Sequence, residues 1–81
     1  MTMNERYKIF FNNRYLVDKE IKNFSSDKYD LEKLYDAGIS ALHKVIFTME
    51  EDCDFNIKDI KLYLLFHIKS GINQFLQESI V

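Results

Sequence analysis

Residues 30–49 read DLEKLYDAGISALHKVIFTM, and their periodicity decides the fold. Leu31, Leu34, Gly38, Leu42, Val45 and Met49 recur at three- and four-residue intervals, the repeat of an α-helix with one apolar face. Asp30 stands where an N-cap is needed, with a carboxylate able to accept from the first turn's amides. The spacing therefore predicts a helix from about 31 to 50. Tyr35, Ile39 and Ile46 lie beside its main stripe and widen it. Ile39, off the centre of the stripe, should be more exposed than Leu31, Leu34, Leu42 and Val45.

Both flanks of this segment also read as helix. Upstream, Thr2 with Glu5 three residues later has the form of a capping box. Met3, Tyr7, Phe10, Phe11, Val17, Ile21 and Phe24 then follow at helical spacing, predicting a helix over roughly 3–24. Ser25, Ser26 and Asp27 end it, because their side chains compete for backbone hydrogen bonds. Downstream comes an acidic run, Glu50-Glu51-Asp52-Cys53-Asp54. Asn56, with Asp59 three residues on, caps a third helix reaching about 78. Its stripe is Ile57, Ile60, Leu64, Ile68, Ile72, Phe75 and Leu76, with Leu62, Tyr63, Leu65 and Phe66 as further apolar positions. Proline is absent and glycine occurs only at 38 and 71, so few breaks interrupt these segments. The expected fold is all-α, a small three-helix bundle forming one domain over residues 1–81. No repeat, linker or low-complexity stretch divides it.

Length and composition set further bounds. At 81 residues the chain can bury only about 60–65% of the surface its unfolded form exposes, which makes the core thin. Hydrophobic residues at 47% and aromatics at 15% exclude disorder of the low-hydrophobicity kind. The longest uninterrupted apolar stretch is Leu62–Phe66, far below the ~20 residues that span a bilayer, so no membrane role is expected. Arg6, Lys8 and Arg14 are interspersed with aromatics, unlike a basic-then-apolar leader. Cys53 is single and cannot form an internal disulfide, which points to the cytoplasm rather than to a secreted scaffold. The net charge of −2 divides unevenly, with +2 over residues 1–26, −5 over 27–54 and +1 over 55–81. A protein that grips duplex DNA alone carries a basic stripe, and the acidic middle argues against that.

Catalytic and metal-binding patterns are not evident. The chain has no Ser/His/Asp set, CxxC, HExxH or phosphate-cradling glycine loop. His43 and His67 fall on different predicted helices, with no spacing that pairs them with Cys53 around zinc. The acidic run lacks the glycine and terminal glutamate of an EF-hand. Carboxylates around Cys53 raise rather than lower a thiol pKa and make it a poor nucleophile. We expect no enzyme activity, cofactor or metal. The apolar surplus beside the two long stripes suggests either a partner surface or a wide core-facing stripe in a bundle or homodimer.

Two segments in order resemble the second conserved region of bacterial RNA polymerase sigma factors. The stretch YDLEKLYDAGISALHKVI, residues 29–46, is similar to a family helix of the approximate form D-L-x-x-x-G-x-x-G-L-x-x-A-x-x-F. Leu34, Gly38, Leu42 and Val45 fall on the first Leu, first Gly, second Leu and Ala, while Ala41 replaces the second Gly and Met49 the Phe. Further on, YLLFHIKSGI, residues 63–72, is similar to the family's Y-A-x-x-x-I-R-x-x-I, with Tyr63, Ile68 and Ile72 matching and Lys69 standing for the arginine. The preceding NERYKIFFNNRYLVDKEIKNF also looks like the family's lead-in helix.

The resemblance implies a region-two helical domain and a role in transcription initiation. It implies docking of the second helix on the coiled coil of the polymerase beta-prime subunit through Tyr35, Asp36, Ile39, Ser40 and His43. It further implies that the third helix meets the non-template strand of promoter DNA at the −10 element through Ile60, Tyr63, Phe66, His67 and Lys69. Aromatic rings stack on unpaired bases and Lys69 suits a phosphate. Lys58 and Lys61 are further cations nearby. Where the family commonly has a Phe and two adjacent Trp-like aromatics, this chain has Ile60, Phe66 and His67. Eighty-one residues leave no room for the helix-turn-helix that reads the upstream promoter element. The expected function is therefore that of a split-sigma accessory subunit, with a second sigma-like protein supplying upstream recognition. The alternatives are a sigma-mimicking polymerase inhibitor of phage or mobile-element origin, and an unrelated helical interaction module.

Overall fold

The computed structural model describes residues 2–49 and 57–78. Within them the chain is a helical bundle of four segments, α1 (Met3–Asn13), α2 (Tyr15–Ile21), α3 (Leu31–Thr48) and α4 (Ile57–Glu78), with no strand among the described residues. The acidic run 50–54 with Cys53, and the cap proposed at Asn56, lie outside the described residues, as do the side chains of Ile57 and Lys58.

The start signals act as the sequence predicts. Thr2 and Glu5 form a reciprocal capping box, the Thr2 hydroxyl accepting from the Glu5 amide at 3.1 Å while the Glu5 carboxylate accepts from the Thr2 amide at 3.4 Å. The Asp30 carboxylate accepts from the Lys33 amide at 3.3 Å and caps α3. The Ser25 region stops the first helical run, its hydroxyl accepting from the Asp27 amide and its carbonyl from the Lys28 and Tyr29 amides.

The single helix expected over 3–24 is divided. At Arg14 the bonding pattern tightens, with the Val17 amide donating to the Arg14 carbonyl three residues back. Arg14 itself keeps right-handed helical angles, φ −57° and ψ −32°, so the run continues after the break without reversing. The cause is local. The Asn13 side-chain amide donates to the Ile9 carbonyl at 2.8 Å, competing with the main-chain bond of that turn. Asn13 is buried, and its side-chain oxygen finds no donor. The helical run also ends at Ile21, short of Phe24, which sits in the following turn with its ring edge-on to Tyr29 at 5.2 Å.

The core lies where α2, α3 and α4 meet. Leu16, Val17, Leu34, Leu42, Val45, Ile46, Leu64, Ile68 and Ile72 are buried together. The stripes predicted for α3 and α4 thus point inward, with Met49 buried at the end of α3 and Leu31, Ile60, Phe75 and Leu76 half-buried at the margins. On the first helical run the outcome differs: Met3, Tyr7 and Phe11 are exposed, and Leu16 and Asn13 are buried in their place.

α3 and α4 form the most extensive pairing, and small residues set their distance. A Cβ placed on Gly71 would lie 2.5 Å from the Ala41 Cβ, closer than two carbon atoms can approach. At Gly38 a Cβ would meet a Val17 methyl at 2.7 Å. The two glycines therefore serve close backbone approach, not turns. Gly71→Ala should lower stability, since overpacking costs about 1–3 kcal/mol against a helix-propensity gain of up to about 1 kcal/mol. A urea midpoint below that of the parent is expected; a higher one would show that the helices separate freely.

Candidate functional site

The five residues proposed to meet the polymerase occupy one side of α3, but not as one exposed patch. Tyr35 and Ile39 are half-buried and pack against the core, while Asp36, Ser40 and His43 are exposed. Ile39 is more exposed than Leu34, Leu42 and Val45, as its place on the helix predicts. Leu31, expected to be buried with them, is instead half-buried like Ile39, because it lies in the first turn of α3 at the margin of the core. Ile46, read from sequence as part of the same surplus, is completely buried and belongs to the core. The reason is geometric: Ile46 joins the core cluster at the end of α3 where α1 arrives, Arg6 donating to its carbonyl.

His43 is the centre of an aromatic cluster that joins a ring one turn on in α3 to two rings of α1, the latter not foretold by spacing within α3. Its ring stacks on Phe47 with centroids 4.3 Å apart and planes 16° from parallel. Phe10 from α1 meets His43 edge-on at 5.7 Å, and Tyr7 meets Phe47 at 5.0 Å. The cluster is held by Arg6, whose guanidinium donates to the carbonyls of Ile46 and of Met49, the latter at 3.0 Å. These carbonyls close α3, where the helix supplies no amide partners and where a cation meets the negative end of the dipole. Arg6 therefore fixes α1 beside His43. Its role was not legible in sequence, because its acceptors are main-chain atoms some forty residues away.

On α4 the proposed nucleic-acid residues divide as well. Phe66 is 65% exposed and Lys69 is exposed. Tyr63 and His67 are half-buried, their rings edge-on at 4.7 Å, and Phe66 meets His67 edge-on at 5.5 Å. Ile60 packs toward the core. Tyr63 and His67 also line a groove of about 340 Å³ between α3 and α4, opposite Ala41, Lys44 and Thr48. Three rings within about one turn thus run from the groove to the outer face of α4, followed by Lys69. Of the other nearby cations, Lys61 turns away to lie 5.3 Å from the centre of the Tyr15 ring.

The structure consequently supplies two separate surfaces, one on α3 beside α1 and one along α4. Among the described residues no cluster of three His, Cys, Asp or Glu side chains is placed to hold a metal. No helix among the described residues is long and apolar enough to cross a membrane. No family model, no curated protein and no solved structure matches the chain.

Proposed function

We propose that the chain is a sigma-region-two-like accessory subunit of transcription initiation, acting by binding rather than catalysis in the bacterial cytoplasm. It docks through the Asp36, Ser40 and His43 side of α3 on the beta-prime coiled coil of RNA polymerase. It presents Tyr63, Phe66, His67 and Lys69 to the non-template strand of the −10 element, and a second sigma-like protein reads the upstream element. The observation that carries this assignment is the order of two motifs on the paired helices α3 and α4. Their shared Leu34, Gly38, Leu42, Ile68 and Ile72 lie in the helix-packing surface, leaving polar and aromatic positions outside. Helix-on-helix docking would cover the half-buried Tyr35 and Ile39.

The test is capture of core polymerase, and of the isolated beta-prime coiled coil, by the wild-type chain and by an Asp36→Arg/Ser40→Arg variant. Both positions are exposed, so the fold should survive. The double variant should bind at least tenfold more weakly, because two bulky cations must be desolvated or displaced at the interface. Unchanged binding would move the docking surface off α3, and no binding by either protein would remove the polymerase from the account. Recovery of polymerase together with a second small protein favours the split subunit over a polymerase inhibitor.

A further inference from the structure

Among the described residues, a further exposed apolar surface lies on neither of those faces. Met3, Tyr7, Phe11 and Tyr15 succeed one another at four-residue intervals along α1 and the start of α2, each at least 37% exposed. This is a continuous stripe, with Tyr7 and Phe11 stacked at 6.3 Å. Cations border it: the Arg14 guanidinium lies 6.0 Å from the Phe11 ring centre, and the Lys19 and Lys61 ammonium groups lie 5.4 and 5.3 Å from that of Tyr15. Lys61 comes from α4, so the arrangement is tertiary and not a consequence of helix spacing alone. Of the acids in this part of the chain, Glu5 is committed to the capping box, leaving Asp18 and Glu20 on α2.

We infer that this stripe is a docking site for an acidic amphipathic helix of a partner protein, with apolar side chains against Met3, Tyr7, Phe11 and Tyr15 and carboxylates on Arg14, Lys19 and Lys61. The charge selects the partner. A second copy of this chain would bring three like cations against themselves, whereas a carboxylate-flanked helix neutralises them. Ring geometry argues against single-stranded nucleic acid, which stacks on free aromatic faces. Here Arg14 and Tyr7 lie against Phe11, and two lysines lie over Tyr15, so those faces are already engaged. The ring edges and the Met3 side chain remain for aliphatic contact, and a helix apolar at i, i+4 and i+7 supplies it.

The inference does not depend on polymerase, and its test uses none. Fluorescence anisotropy is measured with an 18-residue helical peptide carrying leucines at i, i+4 and i+7 flanked by glutamates. The same peptide with lysine flanks, a dT12 oligonucleotide and anionic phosphatidylglycerol vesicles serve as competing probes. The glutamate peptide should bind, weaken with added salt, and lose at least tenfold in affinity in Phe11→Ser and in Arg14→Glu. Phe11 is 60% exposed, and an unchanged thermal melt for these variants would exclude unfolding as the cause. Absence of glutamate-peptide binding, equal binding of the lysine peptide, or indifference to both variants would overturn the inference. So would Phe11-dependent binding of dT12 or of the vesicles in preference to the peptide.

Discussion

Ile68→Ala is expected to cost about 2–5 kcal/mol of folding stability, the range for truncating a buried aliphatic side chain and leaving a cavity. Ile68 is completely buried, and it lies against the backbone of α3, its methyl 3.6 Å from the place a Cβ would take on Gly38. Helices drawn this close by a missing side chain cannot relax inward to refill the space. A domain of this size holds about 4–12 kcal/mol in total, so the variant should sit at or near its unfolding threshold at 37 °C. Urea denaturation followed by circular dichroism reads the effect as a lowered midpoint with an unchanged slope. Phe66→Ala, on the outer face of the same helix, should stay within about 0.5 kcal/mol of the parent. A loss below 1 kcal/mol for Ile68→Ala, or equal losses for the two variants, would mean that α4 is turned about its axis from the orientation described.

Arg6→Ala should be the second most damaging change, at about 1.5–3 kcal/mol, although it removes no core side chain. The guanidinium supplies the Ile46 and Met49 carbonyls with charged donors at the end of α3, and without it these half-enclosed acceptors lose their partners. The damage should be regional. α1 should fray from the bundle, and its amides should exchange with solvent faster while those of Leu42 and Ile68 stay protected. Arg6→Lys should recover part of the loss, since an ammonium provides charge and a donor but not the two-pronged geometry. Uniform acceleration of exchange across all four helices would show instead that Arg6 supports the global fold. Full recovery by lysine would assign its whole effect to charge.

These two positions also mark what sequence does and does not reveal here. The stripe that makes Ile68 a core residue is a matter of period, and period is a property of neighbouring letters. The capping residues Thr2 and Asp30 are legible for the same reason, because their partners are three residues away. Arg6 acts across the chain on main-chain oxygens, which leave no mark on residue type. Ile46 shows the same limit from the other side: from periodicity it is the edge of a stripe, and only the packing of the other helices around it makes it core. The division of the first helix at Arg14 depends on Asn13, a residue that is ordinary in a helix when exposed. It becomes disruptive once its side chain is enclosed and turned onto the Ile9 carbonyl. The residues proposed for the candidate surfaces lie on α3 and α4 as their spacing indicates, but sequence could not place Phe10 beside His43 or Lys61 over Tyr15.

The contact of Gly71 with Ala41 has a consequence for motion. Helices packed through long side chains can slip past one another, because flexible groups find new grooves. Here a slip of one turn would set His67 or Phe75 against Ala41 at a separation too small for a single added carbon. The pair therefore has one permitted register and acts as a mechanical stop. Force or ligand energy applied to the outer face of α4 must be carried to α3 as rotation of a rigid unit, not dissipated as sliding between the helices.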